Sequence, residues 1–507
     1  MSFYFQKDLD ERIKNSDHII ELISKVNNIY IIGIGGIGLS ALAQLFYNSG
    51  KNVAGSDLCK SDVTLYLERL GIKVYYNHDI ENINNSFDLF GSIDLVVFSP
   101  AVMEENIELK YLKDKNILCL TYGQALSYFV NTLNSISICG THGKSSTTAI
   151  LAEILTSKQI EVSFLCGAVL NKFNTNAIFN KNSKFFIVES CEYKETFLNF
   201  FPKNVIIPSL EVDHLDYYKN EENYFNAFAA FLNQIKNGIL IMRLEKNLEK
   251  KLFEYALKLK NITKIITYSY YNITDNFNYI FSKLSEKRHH HYYYKYDENE
   301  PFRVRLIKNI NEYILPIPIP SSEYAANFTA IFVFLDNFCL LDDESISYVS
   351  NYSGIKRRFE FIGIDKFNNT IISDYAHHPS EIRTLLKITS LKYPDKKIYL
   401  IFQSHQHSRT RLLLNEFLSL FQNVENLILL PIYRQRDSEE DIKIMSSEKF
   451  YEEIEKINQK ALFFIDNFKL YEFLSKIKDS VLLFTGAGSI DNYAREYYKQ
   501  SLKFKIN

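Results

Sequence analysis

The chain has 507 residues, enough for two to four domains, and its 46% apolar content can bury sizeable cores. A formal net charge of −2 excludes a global field that would draw it to nucleic acid or to anionic lipid. Six scattered cysteines without a C-x-x-C pair fit reduced thiols in a cytoplasmic protein rather than a disulfide frame or zinc site, and neither a secretory signal nor a membrane-length apolar run is evident.

A polar helix is expected over residues 8–25. Ile29-Tyr30-Ile31-Ile32 then reads as a strand entering a glycine loop, Gly33-Ile34-Gly35-Gly36-Ile37-Gly38, with a helix from Leu39 to Tyr47 behind it. Residues 51–57 form a second strand ending in Asp57, and residues 71–75 and 93–98 continue the strand–helix alternation of a doubly wound, mostly parallel sheet. Asp57 lies about twenty residues beyond the loop, where an acid can bond a ribose hydroxyl. By itself this pattern fits a nicotinamide site, another nucleotide or a plain tight turn.

The second glycine loop is more informative. The strand Ile136–Cys139 leads into Gly140-Thr141-His142-Gly143-Lys144-Ser145-Ser146, and a helix runs on from Thr147 to Leu155. Strand, glycine loop, lysine, hydroxyl and helix make a P-loop, which predicts ATP. Backbone N–H groups and the helix N-terminus cradle phosphate oxygens, Lys144 neutralises the terminal phosphates and Ser145 offers its hydroxyl to Mg²⁺. Glu189 ends the strand 185–188, and Glu211-Val212-Asp213-His214-Leu215-Asp216 follows the strand 204–207. A carboxylate and an imidazole at the carboxyl edge of the same sheet suit a divalent metal beside a triphosphate. The stretch 262–319, punctuated by Pro316, Pro318 and Pro320, reads as antiparallel strands and loops. Its His289-His290-His291 triplet, next to Tyr292-Tyr293-Tyr294, reads as surface.

A third alternating segment begins near Val349. It carries Lys356-Arg357-Arg358-Phe359, Asp374-Tyr375-Ala376-His377-His378-Pro379 and Gln403-Ser404-His405-Gln406-His407-Ser408-Arg409 at strand ends. Arg, His and Tyr gathered there suit a small anionic substrate, because a guanidinium donates two parallel bonds to a carboxylate.

Taken in order, these segments resemble the Mur ligases of peptidoglycan synthesis, and within them the alanine-adding branch. Gly33–Ser40, Gly55-Ser56-Asp57, Ser99-Pro100-Ala101, Asn106-Ile107-Glu108, Gly140–Thr148, Asp213–Asp216, Gly354–Phe359, Asp374–Pro379, Gln403–Thr410 and Gly486-Ala487-Gly488 carry the likeness, which spans residues 31–490. The resemblance implies an α/β protein of three domains: a Rossmann-like UDP-sugar domain (1–131), a central P-loop ATP domain (132–348) and a C-terminal Rossmann-like amino-acid domain (349–507) that closes over the site. It implies that Gly35, Gly36, Ile37, Gly38, Asp57, Ser99 and Ala101 hold the sugar nucleotide. ATP would be held by Gly140, Thr141, His142, Gly143, Lys144, Ser145, Ser146, Asn327, Arg358 and Asp374. Ser145, Glu189 and His214 would hold Mg²⁺, two ions in all, with Mn²⁺ as a substitute. Tyr375, His377, His405 and Arg409 would surround L-alanine, and Lys144, His377, His405 and Arg409 would carry the chemistry. The implied substrates are UDP-N-acetylmuramate, ATP and L-alanine, with neither nucleic acid nor membrane as partner, in a cytoplasmic monomer or weak homodimer. A tripeptide-attaching recycling ligase and a non-catalytic UDP-sugar binder are the alternatives. The departures fall on Pro208-Ser209 before Glu211, on Pro320–Asn327, where the family has an adenine-touching His-Asn and this chain has Glu323-Tyr324, on Ser404 and Gln406, and on Cys191.

Overall fold

The computed structural model describes all residues except Met1, 100–101, 103–104, 272–288, 309–310, 435–436 and 504–507. The chain divides into two compact units, Met1–Pro318 with Ser322–Ser353, and Ile319–Ser321 with Gly354–Asn507.

The first unit contains two sheets. One has five parallel strands in the order Lys73–Tyr76, Asn52–Asp57, Asn28–Ile32, Leu95–Phe98, Leu118–Thr121. Its order reverses beside the central Asn28–Ile32 strand, which opens a crevice at the carboxyl edge where the Gly33 loop emerges. That strand is buried along its whole length, so it reads as a continuous apolar run rather than an alternating one.

The other sheet has ten strands among the described residues. From Asn311–Pro316 the order passes through Arg303–Lys308, His289–Tyr296, Ile262–Tyr270, Gly238–Arg243 and Asn204–Ile207 to Ser135–Ile138, then Phe185–Glu189, Val162–Leu170 and Thr175–Ile178. Ser135–Ile138, which feeds the phosphate loop, lies between Asn204–Ile207 and Phe185–Glu189. Chain segments distant in sequence therefore converge on one edge.

Two expectations are corrected here. Ile262–Tyr270 runs parallel to Gly238–Arg243, and His289–Tyr296 parallel to Ile262–Tyr270; antiparallel pairing starts only beyond His289–Tyr296. The histidine triplet is not surface. It lies in a strand with neighbours on both sides, Tyr292 and Tyr294 are buried, and His291 bonds Thr267 Oγ1 at 2.7 Å and Ser269 Oγ at 3.0 Å. Burial lowers the imidazole of His289 to about 4 and that of His291 to about 3.

The two sheets of this unit share a core. A buried cluster runs from Ile29 and Leu42 through Phe46 and Phe129 to Phe186 and Phe228, with ring centroids 5.1 Å apart for Phe46–Phe129 and 6.3 Å for Phe129–Phe186. Polar pairs pin the same seam. Gln44, on the helix Ile37–Asn48, donates to Asn176 Oδ1 at 3.0 Å and accepts from Thr175 Oγ1 at 2.6 Å, while Asn176 Nδ2 donates to the Ile37 carbonyl at 2.6 Å. Buried polar groups matched this way cost little and fix register.

The second unit holds a six-stranded sheet in the order Glu360–Ile364, Thr370–Asp374, Ser480–Thr485, Lys397–His405, Leu427–Tyr433, Leu462–Phe463, parallel except for its first strand. The helix Asp343–Ser350 belongs to the first unit, and Gly354 opens the main segment of the second.

Candidate active site

The phosphate loop is built as the glycine spacing predicts. Gly140 has φ +125°, and a Cβ there would stand 2.3 Å from the Ser209 carbonyl oxygen. Gly143 has φ +82° and caps the helix Lys144–Ser157; a Cβ there would stand 2.4 Å from Asn327 Oδ1. Only glycine fits either position. Between them, Thr141 N donates to Ser209 O (3.0 Å), His142 N to Ser209 Oγ (2.9 Å), and Thr141 Oγ1 to Glu211 O (2.6 Å). The loop is thus tied to the Pro208–Glu211 segment, and Ser209, one of the sequence departures, is one of its anchors.

Lys144 Nζ donates to the carbonyls of Gly140 at 2.6 Å and Thr141 at 3.2 Å, and reaches Glu192 Oε1 at 3.1 Å. Burial pulls its ammonium pKa down, but the carboxylates of Glu192 and Glu189 outweigh that, and the net value is raised. Glu192 is wholly buried, its Oε1 is 3.6 Å from His214 Nε2, and its Oε2 has no hydrogen-bond partner. Sequence reasoning missed this residue. The available signal was a second acid three positions after Glu189, past the strand end.

Ser145 Oγ donates to Glu189 Oε1 at 3.0 Å, and Gly167 N to Glu189 Oε2 at 2.7 Å. His214 is held at φ +53°, with its ring 4.9 Å from that of Tyr193. The expected metal donors Ser145, Glu189 and His214 therefore surround the helix N-terminus that Lys144 begins, and Glu192 joins them. Among the described residues no group of three or more His, Cys, Asp or Glu side chains forms a protein-only metal cage. The donors stand in pairs, Ser145–Glu189 and Glu192–His214, a set that phosphate oxygens and water would complete. The unpartnered, buried Glu192 Oε2 fits such an ion. Ser146 follows in the first turn of the helix, and His142 is exposed beside it. Glu323, where the family has a histidine, pairs instead with Arg243 at 3.1 Å.

The Gly33 loop opens on a cleft of about 750 Å³ lined by Gly36, Ile37, Gly38, Asp57, His78 and Ser99, among others. Asp57 Oδ2 accepts from Gly35 N at 2.8 Å, so one of its oxygens already holds the loop. Ala101 lies outside the described residues.

In the second unit, Asp374 ends a strand and is buried; its oxygens accept from Phe359 N at 2.6 Å and Ala376 N at 2.7 Å. Burial raises its carboxyl pKa against those bonds. Arg357 Nη2 donates to the carbonyls of Gly486 (2.9 Å) and Gly488 (3.0 Å), and the guanidinium groups of Arg357 and Arg358 lie 4.7 and 5.5 Å from the Tyr375 ring. The Tyr375 and His377 rings are 5.4 Å apart, His377 and His405 6.3 Å, and His405 stacks on Tyr433 at 5.7 Å. His377 is pushed below the usual histidine range by burial, and Arg409 and Arg358 act in the same direction. Tyr375, His377, His405 and Arg409 therefore form one cluster, with a neutral imidazole at its centre and Arg409 on the short helix His407–Leu412.

Residues 28–132 match the family model described as Mur ligase family, catalytic domain; residues 138–335 match the Mur ligase middle domain, and residues 357–488 the Mur ligase, glutamate ligase domain. The chain belongs to the Mur ligase family. Mur ligases named UDP-N-acetylmuramate–L-alanine ligase include that of Clostridium acetobutylicum, 33% identical over 91% of this chain and 95% of the relative, and that of Clostridium kluyveri, 34% identical over 94% and 99%. Among solved Mur ligase structures, UDP-N-acetylmuramate–alanine ligase of Thermotoga maritima superposes with a TM-score of 0.74 at 23% identity, covering 94% of this chain and all of that one. A murein peptide ligase of Psychrobacter arcticus gives 0.62 at 18%, covering 95% and 100%. Both have the same fold.

Proposed function

We propose that the chain is an ATP-dependent ligase of peptidoglycan synthesis that joins L-alanine to the lactyl carboxylate of UDP-N-acetylmuramate, with ADP, phosphate and UDP-N-acetylmuramoyl-L-alanine as products. The observation that carries this reading is a phosphate loop whose lysine is paired to a buried carboxylate, built into the same unit as a second glycine-loop cleft. The names of the Clostridium relatives supply the two substrates. We also take the chain to work as three domains, 1–131, 132–348 and 349–507.

A carboxylate acylates poorly because oxide is its leaving group. Transfer of the ATP γ-phosphoryl group to the lactyl carboxylate makes an acyl phosphate. The alanine amine then adds to the carbonyl, and phosphate leaves from the tetrahedral adduct. The N–H groups of Gly143, Lys144 and Ser145 at the helix N-terminus cradle the phosphates, and Lys144 neutralises charge that grows on them. Ser145 with Glu189, and Glu192 with His214, would hold two Mg²⁺ ions, or Mn²⁺, whose charge adds to that neutralisation. The Gly35–Gly38 turn and Ser99 would seat the diphosphate of the other substrate, with Asp57 bracing the turn. Arg409 would pair with the alanine carboxylate, and Tyr375 and His405 would bound its side chain. An attacking amine must shed a proton, and a neutral His377 can take it. Asn327, Arg358 and Asp374 would complete the ATP contacts. No helix among the described residues is long and apolar enough to cross a membrane. We place the enzyme in the cytoplasm, as a monomer or weak homodimer acting on small molecules.

The test is product mass after incubation with UDP-N-acetylmuramate, ATP, Mg²⁺ and each of alanine, glycine and serine. An alanine adduct with equimolar ADP is expected. ADP without any adduct overturns the proposal, and an adduct with tripeptide but not alanine reassigns the chain to recycling.

A further inference from the structure

The phosphate loop is fastened from behind to a segment that has no secondary structure of its own. Pro208–Glu211 lies between the strand Asn204–Ile207 and the short helix Leu215–Tyr218. The N–H groups of Thr141 and His142 are spent on Ser209, and Thr141 Oγ1 accepts from Glu211 N at 2.8 Å while donating to the Glu211 carbonyl. The loop therefore takes its curvature from this segment, and whatever fixes the segment also sets the N–H groups that meet phosphate.

Glu249 supplies that support. Leu210 is wholly buried, and its N–H donates to Glu249 Oε1 at 3.2 Å, across a separation of 39 residues. Glu249 is wholly buried too, and its Oε2 accepts from the N–H groups of Glu245 at 2.6 Å and Lys246 at 2.8 Å. Those two bonds cap the helix Asn247–Ala256, the ordinary work of a glutamate in a first turn. The bond to Leu210 adds nothing to that cap; it carries the carboxylate across to the anchor of the loop. Burial raises the carboxyl pKa, and the Glu245 and Lys246 N–H groups, the charge of Arg243 and the Leu210 N–H act against it. A second link, Lys246 to Glu211, is an ion pair with side chains 44% and 42% exposed, and such pairs contribute little.

We propose that Glu249 is a positioning residue for ATP: its carboxylate holds Leu210 and, through Pro208–Glu211, keeps the phosphate loop in its binding shape before the nucleotide arrives. This rests on the ATP reading of the Gly140–Ser146 loop. A loop without its anchor holds that shape for only a fraction of the time, and apparent affinity falls by that fraction. The effect belongs to nucleotide binding and not to the chemical step of the filled site.

The experiment is calorimetric titration of the full chain with ADP and Mg²⁺, and separately with UDP. It compares the wild type, Glu249→Gln, Glu249→Ala, Ser209→Ala and the double variant of Glu249→Gln with Ser209→Ala. Glutamine caps a helix with its one oxygen, but its other terminal atom is a donor and cannot accept from Leu210 N. Glu249→Gln therefore cuts the anchor and keeps the cap, whereas alanine removes both. Both should lose about tenfold to a hundredfold in ADP affinity, the cost of an unmet buried donor, with UDP affinity kept. The melting midpoint should fall further in Glu249→Ala. In initial-rate phosphate release, Glu249→Gln should raise the ATP concentration for half-maximal rate by the same factor, with kcat within about twofold. Ser209→Ala breaks the same route, so the double variant should lose less than the product of the two single losses. ADP affinity unchanged in Glu249→Gln overturns the proposal and leaves the ATP reading standing. So does a loss confined to Glu249→Ala and its lower midpoint, since that is what a merely structural cap gives. Losses that multiply in full also overturn it, because the two groups then act by separate routes. A wild type that binds no ADP overturns the ATP reading as well.

Discussion

Replacing Glu192 by Gln keeps the shape of the group beside Lys144 and removes its charge. Glu192 is fully buried and the Lys144 side chain is 15% exposed, so the pair belongs with buried ion pairs, not with surface pairs that contribute about 0–1 kcal/mol. Breaking a buried pair by removing one partner costs about 3–5 kcal/mol. The ammonium keeps the carbonyls of Gly140 and Thr141 as acceptors, which places the expected loss at the lower end, about 3 kcal/mol. The phosphate loop belongs to the first unit, Met1–Pro318 with Ser322–Ser353, and at an unfolding entropy of about 2.1 cal/mol/K per residue a loss of about 3 kcal/mol should lower the midpoint of that unit by roughly 4 °C. The sign of the pH dependence follows from Lys144, whose pKa is raised in the folded chain. Its stabilisation is complete below the unfolded lysine pKa of about 10.4 and is lost only as pH rises through the folded value. The gap between wild type and variant should therefore stay constant from about neutral pH to about pH 9. Calorimetric melting over that range, with and without 0.5 M salt, is the assay. A midpoint within about 1 °C of wild type, or a gap that salt removes as it would for a screened surface pair, refutes the reasoning.

Lys144→Ala should abolish ATP-dependent phosphate release. It should also lower the melting midpoint, because Glu192 is left buried without its cation, and unchanged stability would contradict the geometry. Arg409→Ala is expected to raise the alanine concentration for half-maximal rate about tenfold or more, with the ATP requirement little changed, as read from initial rates. Since His377 lies below the usual histidine range, its neutral form should persist down to mildly acidic pH, with the rate falling only as pH drops through that lowered value. His377→Gln should remove this acid limb from the pH–rate profile. Gly140→Ala should be inactive and destabilised by at least about 1–3 kcal/mol from φ strain alone, as judged by denaturant midpoint and phosphate release.

Much of the site was readable from local patterns. The Gly140–Ser146 loop needs glycine at fixed offsets between a strand and a helix, and both neighbours are visible in the sequence. The Tyr375, His377, His405 and Arg409 group was readable because each lies at or just past a strand end, and parallel strands bring their carboxyl ends to one edge. Glu192 was not readable, because its approach to Lys144 follows from the pairing of the strands Ser135–Ile138 and Phe185–Glu189, which are distant in sequence, and nothing local marks it off from a solvated acid. The partial burial of His289 and His291 was missed because what covers them, Phe253 against His289 and the Thr267 and Ser269 hydroxyls of the neighbouring strand, comes from packing rather than from composition. Asp57 reads as a free ribose acceptor, yet it spends one oxygen on Gly35 N, a bond set by loop curvature.

The seam at Gln44, Thr175 and Asn176, with Phe46 and Phe129 beneath it, has a mechanical consequence. The two glycine loops start from helices and strands bedded in one continuous core, so their separation is set like that of two marks on a single gauge block. A chain cut between residues 131 and 132 would bare that seam on both halves. Neither fragment is then a module to be transplanted alone: the two loops must be inherited, engineered or lost together.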